Sequence, residues 1–556
     1  MSKTIIYQLL PRLYGNTCTT RKPNGTIAEN GCGKFNDIND IALYNIKSAG
    51  VTHVWYTGVL RHASTTGYGF EKFPANPNVV KGRAGSPYAV SDYYDVDPDL
   101  AEDVEHRMDE FKALVARTHA NGMKCLIDFV PNHVARNYYS DVKPERNGRL
   151  GEKDDRTVEF APNNNFYYLP GRRFVPPVND KGYPYDEKTT KASGNNAFVP
   201  NPSVNDWYDT IKLNYGINFA DGSCHFDPIP DTWVKMRDII FYWIEKGVDG
   251  FRVDMAEMVP IDFWQWLIGQ TSLKYPHIIF VAETYNPATY KKYIAAGFSL
   301  LYDKVGFYDC VRAVMRGERP ASDISNLWKD YGALERNLLF FLENHDEQRL
   351  ASEFFMGSGS RAKAGMMLAA LFRNSALMVY FAQEVGEPGM DVEGFSGRDG
   401  RTSIFDYWGI ELFQKYVGNH KYDDSALPAE AAELKKWYCR LFGAVQKTTA
   451  FQSGSFYDLM WANQYMFLDA NSIYAFLRYD VNGRYLVVLN FGNEPQTPRL
   501  RIPEDAWRLM GSSWNECITA VDYLTGKPLF FSSVSKSQTE GWSVAVAPND
   551  GLVIRI

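Results

Sequence analysis

No apolar run in the 556-residue sequence is long enough to cross a membrane; the longest candidate, 364–381, is broken by Arg373 and Asn374 and reads as a buried helix followed by a strand. Cysteine is sparse. The seven thiols stand at 18, 32, 125, 224, 310, 439 and 517, an odd number without CxxC spacing, which argues against a disulfide framework or a cysteine zinc site. Positive charge is not in excess: 59 Lys and Arg against 66 Asp and Glu leave a net charge of -7, so the sequence offers no footprint for nucleic acid and no polybasic membrane surface. The expected partner is small or neutral. Neither GxGxxG after a strand nor GxxxxGK followed by Ser or Thr occurs, so nucleotide chemistry and an organic cofactor have no support. The opening MSKTIIYQLL has one Lys but no long apolar core or small-residue cleavage site. The expected compartment is the cytoplasm, or outside it if a leader has been removed.

What is present is a recurring alternation. Short β-rich apolar runs at 5–9, 52–56, 124–130, 250–254, 278–283, 298–302, 338–342 and 376–381 alternate with helical stretches such as 105–120 and 233–246. Eight such units predict an α/β fold, a closed (β/α)8 barrel, over 1–133 and 226–440. The interval 134–225 is too long and too rich in Asn, Gly, Pro and Tyr for one crossover, which predicts an inserted domain after the third strand. Over 441–556 the pattern turns to short alternating strands with Gly, Asn and Pro turns, which predicts a C-terminal all-β sandwich.

Barrel active sites lie at the carboxyl ends of the strands, and four runs end in polar residues. The third closes with Asp128, Asn132 and His133, the fourth with Arg252 and Asp254, the fifth with Glu283, and the seventh with His345 and Asp346. Any one alone is explained as well by a helix cap or a solvated loop; four together point to a site. Residues two apart on a strand face the same way, so Arg252 lies beside Asp254 and is expected to lower its pKa, while Glu283, facing other carboxylates, is expected to hold a proton. An ionised and a protonated carboxyl about 5 Å apart are the nucleophile and acid of retaining glycoside hydrolysis. Asp346 would then stabilise the oxocarbenium-like charge, and His133 and His345 would hydrogen-bond sugar hydroxyls.

The segments DFVPNH, GFRVDMAEM, FVAETY and FLENHDEQR resemble, in order, the four signature regions of the α-amylase superfamily, glycoside hydrolase family 13, and the similarity spans roughly 3–410. The resemblance implies Asp254 as nucleophile, Glu283 as acid/base, Asp346 as transition-state stabiliser, and Arg252, His133 and His345 around them. GSPYAVSDYYDVDPDL is similar to the family segment that carries a sugar-stacking tyrosine, here Tyr88, with Asp92 in support. QEVGEPGMD resembles the eighth-strand region, the insert domain B, and the tail domain C. Asn132 matches the family's calcium-binding asparagine, while the loop after the first strand lacks the Asp-rich run of calcium-binding members, so the resemblance implies calcium through Asn132 alone. Where starch-degrading members carry Lys-His after the nucleophile, this sequence has Glu257 and Met258. Either these weaken the leaving-group subsites and favour short maltooligosaccharides, or Glu257 forms a local ion pair. The expected activity is hydrolysis of α-1,4-glucosidic bonds in maltooligosaccharides or starch fragments, with transglycosylation or trehalose-forming isomerisation as alternatives on the same carboxylates. A catalytically dead relative lacks support because all three carboxylates are present.

Overall fold

The computed structural model describes residues 2–141, 148–389, 392–465 and 468–556; Met390 and Asp391 of the QEVGEPGMD segment lie outside the described residues. Eight parallel strands close a barrel: β1 (Ile5–Leu9), β2 (His53–Tyr56), β3 (Lys124–Phe129), β4 (Gly250–Val253), β5 (Ile279–Ala282), β6 (Leu300–Tyr302), β7 (Leu338–Phe340) and β8 (Ala376–Tyr380), each beside its sequence neighbour, with β8 paired to β1. Strand periodicity divides the side chains between two cores. Ile6, Trp55, Leu126, Val281, Tyr302 and Met378 fill the interior, while Tyr7, Val54, Ile127, Phe251, Val253 and Phe280 pack outward on the helices. Arg252 therefore faces the interior, as the alternation predicts. At Gly250 the neighbouring strands approach so closely that a Cβ would lie 2.5 Å from the Ile279 carbonyl oxygen, which explains glycine at the start of β4.

Helix Arg107–Ala120 starts two residues later than its pattern suggests, because Asp103 accepts the Glu105 N–H at 3.1 Å and closes a 3-10 turn first. Between β3 and β4 the chain forms small antiparallel pairs, His133–Ala135 with Thr210–Lys212 and Tyr168–Leu169 with Thr190–Lys191. Buried Arg136 braces this segment, pairing with Glu187 at 3.0 Å and lying 3.6 Å from the Phe174 ring centroid. The boundary expected at 440 falls inside helix Ala429–Lys447. Its apolar stripe of Leu434, Tyr438, Leu441, Phe442 and Val445 packs on the barrel, and Gln446 bonds the Lys3 and Gly50 carbonyls at 2.9 Å. The chain thus leaves the barrel after Lys447.

The C-terminal region is a six-stranded sheet faced on one side by the pair Arg499–Leu500 and Trp542–Ser543. Ala475, Leu477, Leu486 and Ile554 point toward that small layer, and Phe476, Tyr485, Val487 and Val553 point toward the barrel. The barrel is in effect the second slab of the expected sandwich. Fully buried Arg478 fastens the two, donating to the carbonyls of Leu371 at 2.8 Å and Ala450 at 2.6 Å. All seven cysteines are free, and among the described residues no helix is long and apolar enough to cross a membrane.

Candidate active site

At the carboxyl ends of β3, β4 and β5 the inward-facing positions carry Asp128, Asp254 and Glu283, all buried, around the equally buried guanidinium of Arg252. Arg252 Nη1 donates to Asp254 Oδ1 at 2.9 Å and lies 3.8 Å from Asp128, while Nη2 lies 2.9 Å from Glu283 Oε1. The rings of Trp55, Tyr88 and Tyr302 surround the cation, with centroids 5.2–5.6 Å from Cζ. Arg252 does pull the Asp254 pKa down, as expected, but the net lowering expected of Asp254 is corrected here. Burial first, then the charge of Glu283, pushes the Asp254 carboxyl well above the usual range, because one guanidinium is shared among several carboxylates.

Glu283 is held from both sides. Its Oε2 accepts the Met255 N–H at 2.7 Å and its Oε1 the Tyr285 hydroxyl at 2.9 Å. Met255 reaches it by adopting a left-handed conformation, φ 45°, immediately after Asp254, a strained backbone for a residue with a Cβ. Asp346, 45% exposed, lies 3.0 Å from His345 Nε2. The protein around Asp346 opposes its ionisation, but His345, followed by Arg252 and Arg401, holds its pKa down at about 2.

Both nitrogens of His345 are engaged: Nδ1 with Gln8 Nε2 at 2.8 Å, and Nε2 with the Tyr88 hydroxyl at 2.6 Å. His345 thus positions Tyr88 and Asp346 instead of presenting a free nitrogen to a sugar. Tyr88 stacks on it, ring centroids 5.2 Å apart. His133 is buried 5.1 Å from the Trp207 ring; burial and then Lys212 and Lys81 lower its pKa to about 3, so the imidazole is neutral.

Two of the expected residues are engaged elsewhere. Asp92 is not drawn into this cluster: it sits across the hairpin Leu60–His62/Val90–Val96 from Arg61 and accepts the N–H groups of Tyr94 at 2.9 Å and Asp141 at 3.0 Å. Burial, and then neighbouring Asp95, raises its pKa to about 7, which marks a buried structural acid. Asn132, the residue expected to hold calcium, also has protein partners on both side-chain atoms. Its Oδ1 already accepts the Lys212 ammonium, which also donates to the Met258 carbonyl at 3.1 Å, and its Nδ2 donates to the Gly194 carbonyl at 2.9 Å. The Lys212 nitrogen, its pKa lowered to about 7 by burial, thus occupies the oxygen a metal ion would need. Among the described residues no group of three or more His, Cys, Asp or Glu is placed to hold a metal ion. Gln8, Trp55, Tyr302 and Tyr285 were not singled out from sequence. The first three occupy inward positions of their strands, a signal the period of two carries; Tyr285 lies on a loop and had none.

Residues 23–277 match the family model of the α-amylase catalytic domain, a span that holds Arg252 and Asp254 in the geometry above. That span is similar to the catalytic domain of the α-amylase family. Among its relatives, a cyclomaltodextrin glucanotransferase of Geobacillus stearothermophilus is 22% identical over 413 residues, 68% of this chain and 49% of the relative. An α-1,4-glucan:maltose-1-phosphate maltosyltransferase of Cereibacter sphaeroides is 25% identical over 223 residues, 39% of this chain and 28% of the relative. The chain spans less than half the length of these curated relatives. The fold of a maltogenic α-amylase from Thermotoga neapolitana superposes with a TM-score of 0.64 at 20% identity, covering 100% of this chain and 98% of that one.

Proposed function

We propose that the chain is a retaining enzyme that hydrolyses α-1,4-glucosidic bonds in maltooligosaccharides or starch fragments. The Asp254 carboxylate attacks the anomeric carbon while the Glu283 carboxylic acid gives its proton to the departing sugar oxygen, so the glycosidic bond breaks as the bond to Asp254 forms. Glu283, now a carboxylate, takes a proton from water, whose oxygen displaces Asp254 and restores both groups. Asp346, ionised above about pH 2, offers negative charge to the oxocarbenium-like transition state.

One observation carries this reading: a single guanidinium lies 2.9 Å from both Asp254 and Glu283 on adjacent barrel strands. Carboxylates that close repel when both are ionised, so the pair favours holding one proton between them, and the reading requires that proton to be on Glu283 at the moment Asp254 attacks. Transfer to a second sugar is the alternative, favoured by the glucanotransferase and maltosyltransferase among the relatives; it shares the first half-reaction and differs in whether water or a sugar displaces Asp254.

The test is a product chromatogram from maltotriose, maltoheptaose, soluble starch and pullulan with Asp254→Asn as the blank, joined to proton NMR of the first product. Shorter sugars released as the α-anomer before mutarotation support hydrolysis with retention. Products longer than the substrate indicate transfer. Initial β-anomer, or no Asp254-dependent product from any substrate, overturns the reading.

A further inference from the structure

We propose that Glu257 is a positioning residue for the acid/base: its side chain clasps the loop after Glu283 and so keeps the Tyr285 hydroxyl on Glu283. The proposal rests on the glucosidic reading of the site. Glu257 lies in the 3-10 turn Ala256–Met258, three residues after the nucleophile. Its partners are neutral donors: Oε2 accepts the Tyr285 N–H at 2.8 Å, and Oε1 accepts the Asn286 N–H at 3.2 Å and the Thr289 hydroxyl at 2.9 Å. The ion pair expected as one reading of Glu257 is replaced by a set of charge-assisted bonds across two loops. Neither a lysine nor an alanine could accept them.

The turn that presents Glu257 is itself fixed. The Ala256 carbonyl accepts the Trp264 indole N–H at 3.0 Å, the Met258 carbonyl accepts the Lys212 ammonium at 3.1 Å, and Met258 N–H closes on the Met255 carbonyl at 2.9 Å. From this rigid base the clasp reaches the first residues after β5. Asn286 continues the loop by capping the turn Pro287–Thr289, its Oδ1 accepting the Ala288 N–H at 3.1 Å. Tyr285 is thereby held at its backbone by Glu257 and at its hydroxyl by Glu283 Oε1, 2.9 Å away. Met255, in the same post-nucleophile segment, occupies Oε2. Two residues of one short segment thus set the orientation of the proton donor, Met255 directly and Glu257 through Tyr285. A proton donor misplaced by a fraction of an ångström loses rate without losing substrate affinity.

Leaving-group dependence tests this role. Maltopentaose needs a proton on its departing oxygen, whereas α-maltosyl fluoride releases fluoride with little acid assistance. In Glu257→Ala and Tyr285→Phe the ratio of kcat on maltopentaose to kcat on the fluoride is expected to fall at least about tenfold, with KM little changed. The double variant is expected to fall no further than Tyr285→Phe, because Glu257 acts through Tyr285. An unchanged ratio in either single variant, with both rates falling together, overturns the proposal, as does an additive loss in the double variant. Thermal melts of all three variants accompany the kinetics, and a ratio that falls only in proportion to lost folded protein also overturns it. If the unaltered enzyme fails to release fluoride at all, the glucosidic reading itself fails, a result distinct from either.

Discussion

Replacing Asp254 with Asn is expected to stabilise the substrate-free chain while abolishing turnover. Asp254 Oδ1 accepts Arg252 Nη1 at 2.9 Å, but Oδ2 is buried without a hydrogen-bond donor, and Glu283 and Asp346 add like charge. A buried acceptor left unpaired costs about 1–3 kcal/mol, and asparagine keeps the shape and the bond to Arg252 while removing the charge, so a gain of up to about that size is expected at pH 7. The pH dependence follows from the raised carboxyl. Between its unfolded value, about 3.9, and its higher folded value, the folded state binds more protons than the unfolded one, so stability falls as pH rises through that window. The penalty is absent below about pH 4 and complete above the folded pKa, and the advantage of asparagine shrinks on acidification. Denaturant midpoints of both proteins at pH 7 and pH 4 measure this. An Asn variant no more stable at pH 7, or an advantage that persists undiminished at pH 4, refutes the reasoning.

Lys212→Met leaves the Asn132 and Met258 oxygens without their buried donor and is expected to lower stability by about 2–4 kcal/mol, read as a lower Tm; the unaltered enzyme is expected to keep its Tm in chelator. A large fall on chelation that calcium restores would show that a metal holds this joint. His133, with its pKa lowered to about 3 chiefly by burial, is expected to show no ring titration between pH 5 and 8 by NMR of selectively labelled histidine, whereas a midpoint near 6.5 would place the ring in water.

All eight barrel strands were legible because each is a compact apolar run bounded by turn residues, and the inward aim of Arg252 and Asp254 followed from the period of two. Their carboxyl-end placement gave Glu283 and Asp346 by the same logic. The charge state of Asp254 was not legible: Arg252 is near in sequence and suggests a lowered pKa, but Glu283 and complete burial, which reverse it, depend on closure of the barrel. The surroundings of Asp92 were hidden for a similar reason, since its partner Arg61 meets it only through hairpin pairing. Lys212 lies 80 residues from Asn132, and the donors to Glu257 lie 28 to 32 residues from it. Nothing local announces such contacts, and a lysine among Ile211 and Leu213 reads as one more strand residue.

Lys212 also changes what the joint between barrel and insert depends on. An ion drawn from solution stabilises in proportion to the logarithm of its concentration over its dissociation constant, so a joint built on one is only as firm as the surrounding medium permits. The Lys212 amine, bonded to Asn132 and to the turn behind Asp254, arrives with the polypeptide at a local concentration set by chain geometry. No depletion by citrate or phosphate can dilute it. The wall of the cleft is thus maintained by inheritance through the coding sequence rather than by replenishment from the surroundings.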